Sequence, residues 1–451
     1  MAAVHEAFLQ LVEDDQAGNG DVPVVVPGPA SRDTPKASPG CNDIAWTAAY
    51  PLITHMQLQY YGNTRNVQQQ WPSLVKYQEN LIAKATVTAD NITKLAVCDS
   101  FGDWLSGPTG QSTCSPNATD SSCPVADEMA SFSYVLSLRA MAQMAGVVGD
   151  HNATVRYAGL AAAATAEFHA VFFNKSVERY GGDIGAIQSL SLPALEIDAP
   201  PTPKIRAAVV RTLHDDLAQR SNYTLRVGAV TSKILLNVLS ENGLHETALR
   251  TATSTDMPSW GHWWKAYNAT TCYEAFPNSP FPSKQSEPAG IGTLNHIFLC
   301  GGLGHWMWKH LAGITPAAPG FAEVTIMPRI HDSVGPRAVR GEFLSPRGTI
   351  VSSWRVAADG VSLNVSLPVG VQAATIVVPY PMVDGKAVAG VIKERGSVVW
   401  DGTAVVGKHA GIAGAVGRED GVAFATSNGE FAFESADAAP PLRAPGRLAG
   451  R

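Results

Sequence analysis

The chain has 451 residues, of which 45% are hydrophobic and 16% charged, with a formal net charge of −6. This is enough apolar material for two or three cored domains, because single cores rarely grow beyond about 250–300 residues. The mild charge comes without a Lys/Arg cluster and without an apolar run of about 18 residues, which excludes a basic nucleic-acid-binding face and a transmembrane helix.

In chain order, residues 1–41 open with Val4, Phe8, Leu11 and Val12 at helical spacing. This predicts a short amphipathic helix and not a signal peptide, followed by a Pro/Gly/Ser-rich loop over 22–40. From 42 to 314 the pattern is mostly helical, with apolar residues three and four apart over 44–61, 71–85, 127–145, 155–173, 205–219 and 232–240. Helix pairs joined by long irregular loops predict a mainly α, (α/α) hairpin barrel, with the Ala-rich run 161–166 as ordinary packing core. After Pro316 the period falls to about two: 324–328, 349–354, 361–366 and 374–379 cluster or alternate β-branched residues. A C-terminal β-sandwich is expected over 315–435 and a disordered Ala/Pro/Gly/Arg tail over 436–451.

Asn-x-Ser/Thr sequons stand at Asn91, Asn117, Asn152, Asn174, Asn222, Asn268 and Asn364. Cys114 and Cys123 flank a turn that a local disulfide would close. Both features point to the secretory pathway, and a natural start upstream of Met1 is expected. The six cysteines form no C-x-x-C, the histidines no H-x-x-x-H, and no Gly-rich loop has nucleotide-binding spacing, so no cofactor or metal is expected.

The densest chemical signal is Pro258-Ser259-Trp260-Gly261-His262-Trp263, then Ala269-Thr270-Thr271-Cys272-Tyr273-Glu274, then Leu294-Asn295-His296. Indole rings, a carboxylate and imidazoles in a Pro/Gly/Ser-rich setting suit a sugar pocket: rings stack on the apolar face of a pyranose while the carboxylate handles a proton. Trp260 and Trp263 read as stacking platforms, and Trp264 as packing inward or onto a neighbour. Trp306, Trp308, Trp354 and Trp400 read as packing residues. A second signal is Ser100-Phe101-Gly102-Asp103-Trp104-Leu105, in which Asp103 has the capacity to accept from sugar hydroxyls beside the Trp104 ring. The bland readings are a solvated charge for Glu274, a helix-start histidine packing against Trp306 or Trp308 for His296, and a structural turn for Asp103-Trp104.

The order G-D-W-L, P-S-W-G, A-T-T-x-x-E, L-N-H resembles the bacterial-type α-L-rhamnosidases, inverting glycoside hydrolases built on an (α/α)6 six-hairpin barrel. The succession of helical domain and small β-domain, with Leu311-Ala312-Gly313-Ile314 at the junction, is similar as well. The resemblance implies that Glu274 is the general base, and that Asp103, Trp104, Trp260 and His296 bind the sugar of a rhamnose-containing glycoside. No cofactor is implied, since the reaction needs two carboxyl groups and an oriented water. The sequence departs from the family at Asn268, usually Gly, at Tyr273, usually Trp, and at Ala275-Phe276, often Arg-Trp. Asn268 is expected to carry no glycan, which would block the pocket. In the family the general acid lies in an acidic segment upstream of the loop corresponding to 22–40, and Arg32-Asp33-Thr34-Pro35 does not fit it. The resemblance over 4–435 therefore implies a barrel incomplete at its N-terminus and very poor hydrolysis or none. The other expectations are a non-catalytic carbohydrate-binding protein and a six-hairpin hydrolase for another sugar.

Overall fold

The computed structural model describes residues 2–27, 43–87, 93–95, 102–104, 124–181, 187–275, 293–331, 333–357, 360–383 and 386–437. The chain divides into two compact units, Met1–Trp306 and Met307–Arg451, a division a few residues before the junction expected at 314.

The first unit is helical. Its helices are α1 (Ala2–Asp14), α2 (Ile44–Thr47), α3 (Ala49–Tyr61), α4 (Thr64–Lys84), α5 (Pro124–Val148), α6 (His151–Phe172), α7 (Ile187–Glu196), α8 (Pro203–Asp215), α9 (Ala229–Glu241), α10 (His245–Thr253), α11 (Trp260–Tyr267) and α12 (Gly301–Trp306). Successive helices pair, α3 with α4, α5 with α6, α7 with α8 and α9 with α10. The alternate members α3, α5, α7, α9 and α12 also pack on one another in that order. This is the double-layered arrangement of a six-hairpin domain, with an inner ring and an outer ring.

Burial follows the layers. Inner helix α9 buries every residue from Ala229 to Ser240 except Lys233, whereas outer helix α10 buries only Thr247, Ala248, Leu249, Thr251 and Ala252. Helix α1 belongs to the same core, where Leu9 and Val12 join Leu58, Val67, Leu74 and Tyr77. Asn63, Asp150, Thr202 and Ser259 cap α4, α6, α8 and α11, their side-chain oxygens accepting first-turn amides that have no partner inside the helix.

The structure corrects two expectations here. Residues 44–61 are not one helix, because the chain turns at Ala48 between α2 and α3. The Ala-rich run is not core either: Ala161 is buried, but Ala162, Ala163 and Ala166 are exposed on outer helix α6. The expected Cys114–Cys123 bridge, the sequons at Asn91 and Asn117, and the tail from 438 onward lie outside the described residues.

In the second unit the strands are β1 (Ile314–Pro316), β2 (Glu323–Ile326), β3 (Ala338–Ser345), β4 (Gly348–Ala357), β5 (Gly360–Leu367), β6 (Ala373–Pro379), β7 (Gly390–Glu394), β8 (Ser397–Trp400), β9 (Ile412–Gly417), β10 (Gly421–Thr426) and β11 (Gly429–Asp437). Among the described residues they form two large sheets, one in the order β9-β10-β6-β2-β1 and the other β8-β7-β11-β5-β4-β3, beside a small hairpin of Met382–Val383 with Lys386–Ala387. Pairing is antiparallel except between β2 and β6. Strand β5 alternates as the sequence predicts, with Val361, Leu363, Val365 and Leu367 buried. The two large sheets meet through Phe424 of β10 and Phe433 of β11, whose rings stack at 5.0 Å.

Candidate active site

The five expected site residues, Asp103, Trp104, Trp260, Glu274 and His296, all belong to the first unit. Ser259 starts α11 by accepting the His262 amide at 3.0 Å. The helix puts Trp260 and Trp263 into the core, both 0% exposed, while Trp264 is 45% exposed. This reverses the expectation that Trp264 packs inward. Trp260 donates its indole N–H to the Leu299 carbonyl at 2.7 Å, and Trp263 packs on Tyr273 at 5.5 Å. Neither buried ring presents an open stacking face to a sugar. The helix stops at Asn268, which takes a left-handed conformation (φ 50°, ψ 37°) that asparagine tolerates better than most residues.

Beyond Asn268, two segments distant in sequence are fastened together. The Glu274 amide donates to the Thr293 carbonyl at 2.9 Å, and the Thr293 amide donates to Glu274 Oε2 at 2.9 Å. The His296 amide donates to the Cys272 carbonyl at 2.8 Å, and the Thr271 hydroxyl donates to the Leu294 carbonyl at 2.5 Å. A disulfide from Cys272 to Cys300 locks the same pair of segments.

Glu274 and His296 are both half-buried. Burial raises the affinity of the Glu274 carboxyl for its proton, but donation from the Thr293 amide and hydroxyl and the nearby His296 charge outweigh it, so its pKa lies below the usual glutamate value. A partly accessible carboxylate held ionised on a covalently braced loop is equipped to take a proton from water.

Asp103 has a different environment. It is 0% exposed, and its oxygens accept from the Gly228 amide at 2.7 Å, the Val230 and Thr231 amides at 3.0 Å each, the Ser189 hydroxyl at 2.6 Å and the Thr231 hydroxyl. Burial pushes its pKa up against the pull of the donors from Ser189, Thr231 and Gly228. Helix α9 has Gly228 at its N-cap and therefore no capping side chain of its own. Asp103 supplies the cap from another part of the chain. Only glycine fits at 228, since a Cβ would lie 2.1 Å from the Asp103 carbonyl oxygen. The adjacent Trp104 accepts the Ala229 amide at 2.7 Å through its carbonyl, and its side chain remains half-buried.

Two groupings result. Asp103 and Trp104 sit on the N-terminus of α9, while Glu274 and His296 sit on the disulfide-braced loop. Helix α9 connects them, because Gly302, two residues past Cys300, lies against the Lys233 backbone, where a Cβ would come 2.5 Å from the Lys233 carbonyl oxygen. Lys233 went unnoticed in the sequence. Its side chain is exposed although protein surrounds it closely, and this enclosure lowers its pKa despite the opposing charges of Asp103 and Glu196. The Cys272–Cys300 bridge also went unnoticed, because a separation of 28 residues carries no local signal. Among the described residues, no three His, Cys, Asp or Glu side chains gather as metal ligands.

The family model for the bacterial alpha-L-rhamnosidase six-hairpin glycosidase domain matches residues 1–311, and that for the bacterial alpha-L-rhamnosidase C-terminal domain matches residues 313–391. The chain belongs to the bacterial α-L-rhamnosidase family. Similar proteins include an alpha-L-rhamnosidase of Alteromonas sp. (strain LOR), 24% identical over 81% of this chain and 37% of that protein. Another, from Streptomyces avermitilis, is 26% identical over 72% of this chain and 28% of that protein. Among solved structures, the alpha-L-rhamnosidase of Dictyoglumus thermophilum superposes with a TM-score of 0.77 at 21% identity, covering 97% of this chain and 44% of that one. The Streptomyces avermitilis enzyme, solved in complex with L-rhamnose, gives 0.71 at 20% identity, covering 95% and 36%. These structural likenesses establish the fold. The chain spans less than half the length of these rhamnosidases.

Proposed function

We propose that this rhamnosidase-family chain acts on terminal α-L-rhamnosides by inversion, with Glu274 as the general base. The observation that carries this reading is the pairing of Glu274 with Thr293, which keeps the carboxylate ionised and fixes one of its oxygens at 2.9 Å from an amide. In an inverting reaction the base removes a proton from water as that water attacks the anomeric carbon on the face opposite the leaving group. A glutamate that stays ionised below the usual range is ready for this at neutral pH.

His296, close enough to influence the Glu274 charge, serves the sugar hydroxyls, and the half-buried Trp104 ring offers a face for the pyranose carbons. Asp103 and Trp260, expected to touch the sugar, have their polar atoms committed to protein partners and are assigned to positioning: Asp103 fixes α9 and Trp104, and Trp260 fixes Leu299 beside Cys300. The Cys272–Cys300 bridge and the exposed sequons at Asn152, Asn222, Asn268 and Asn364 support a secretory location. The test is to follow hydrolysis of nitrophenyl α-L-rhamnoside by proton NMR. The β-anomer of rhamnose is expected first. Initial release of the α-anomer, or no release of nitrophenol, goes against the proposal.

A further inference from the structure

Glu128 lies just past the first turn of inner helix α5, is 0% exposed, and neither carboxyl oxygen has a hydrogen-bond partner. A buried carboxyl without partners costs stability, so its retention calls for a reason. Glu128 forms the floor of a cleft of about 620 Å³, within the range of about 300–1,000 Å³ typical of small-molecule sites.

The walls come from the end of outer helix α6 and the residues after it: Phe172, Phe173, Asn174, Lys175 and Gly181. Phe172 and Phe173 are half-buried, their partners being Phe168 for the first and His169 and Tyr180 for the second. Asn174 Oδ1 accepts from the Ser176 amide at 2.9 Å and hydroxyl at 2.6 Å, which fixes the amide and leaves its NH2 group to donate. Lys175 is exposed at the rim. Burial pushes the Glu128 pKa well above the glutamate value, which favours the neutral carboxyl, a group with both a donor and an acceptor. The cleft combines an uncommitted carboxyl, an amide and an ammonium with half-buried rings, and shares no residue with the Glu274 loop.

We propose that this cleft is a second saccharide site, which takes a pyranose unit. Glu128 rotates into the cleft to bond the sugar hydroxyls, Asn174 and Lys175 donate to its oxygens, and the phenylalanine rings pack on its C–H face. A ligand hydroxyl supplies the bonds that the protein does not. This assignment rests on the carbohydrate reading of the chain but not on the role of Glu274. A small cation suits the cleft poorly, because the Lys175 ammonium stands at its entrance and, among the described lining residues, Glu128 alone brings a carboxyl group.

The test is calorimetric titration of the full chain with L-rhamnose. The protein is produced without N-glycosylation, because Asn174-Lys175-Ser176 is a sequon at the rim. Two classes of site are expected. Glu128→Leu and Lys175→Ala should each weaken one class by at least about tenfold, the scale of one lost buried hydrogen bond, with nitrophenyl α-L-rhamnoside hydrolysis unchanged. Glu128→Leu should also raise the melting temperature, a gain that a purely structural carboxyl would not give, and the shape-conserving Glu128→Gln guards against misfolding of the first variant. Glu274→Gln should slow hydrolysis by about 10²–10⁴-fold and leave this class intact. A single class of site in the unsubstituted chain, or two classes retained in both Glu128→Leu and Lys175→Ala, overturns the proposal. If Glu274→Gln changes nothing while Glu128→Leu removes one class, the role of Glu274 falls and the second site stands.

Discussion

Thr293 and Glu274 hold each other through two bonds of 2.9 Å, one from the Thr293 amide to the Glu274 carboxylate and one from the Glu274 amide to the Thr293 carbonyl. The backbone bond fixes where the carboxylate stands, and the bond to Oε2 fixes its ionisation. The Thr293 hydroxyl lowers the Glu274 pKa further. Thr293→Ala removes that hydroxyl and keeps the amide, so the pKa should rise. The base must be ionised to work, so the acidic limb of the pH–rate profile should move to higher pH. Stability shifts in the same direction. A carboxyl whose folded pKa is depressed contributes stability above its unfolded pKa and loses it as pH falls through the folded value, so acid unfolding of Thr293→Ala should begin at higher pH. An unchanged acidic limb would separate Thr293 from the ionisation of Glu274.

The Cys272–Cys300 bridge closes a separation of 28 residues. Loop entropy assigns about 3–4 kcal/mol to a bridge of that span. Reduction should therefore lower the calorimetric melting temperature, and the double variant Cys272→Ala/Cys300→Ala should melt lower without reductant and lose less on reduction than the unsubstituted chain. An equal melting temperature with and without reductant would show that the bridge does not brace the fold.

Asp103→Ala should cost stability before it costs affinity. It strips the Gly228, Val230 and Thr231 amides of their acceptor at a buried helix start, a loss on the order of 3–5 kcal/mol in chemical denaturation. Weakened rhamnose binding at unchanged stability would instead make Asp103 a sugar ligand.

The two indoles of α11 should separate in the same way. Trp260→Ala empties a fully buried site and should destabilise by about 3–5 kcal/mol, whereas Trp264→Ala, at the surface, should stay within about 0.5 kcal/mol. Equal losses would contradict the burial described for them.

Most of the helices legible in the sequence have one wet face, although the segment 232–240 is also legible as helical and lies in α9, buried almost all round. Helices α4, α5, α6 and α8 show apolar residues three and four apart because outer or long helices must keep polar residues on the other side. Helix α7 is buried from Ile187 to Leu195 and contains Pro193, so it has neither a period nor an uninterrupted helical composition. In the β-unit, alternation along β5 was visible because only one face meets the core. At the site, the motif order located Glu274 and His296 on one loop, since both are local to segments that pair directly. The surroundings of Asp103 were hidden because its donors come from residues 86 and 125–128 positions away. Trp260 looked like a platform because ring chemistry can be read from sequence and burial cannot.

The most direct test of the account is the Glu274→Gln substitution, assayed on nitrophenyl α-L-rhamnoside with the full chain. Glutamine keeps the volume and can still accept the Thr293 amide, but it cannot take a proton from water. The expected result is a kcat lower by about 10²–10⁴-fold with KM little changed and an unaltered melting temperature, and partial rescue by azide, which needs no base. A Glu274→Gln protein that turns over at the rate of the unsubstituted chain would contradict the central claim that Glu274 activates the water.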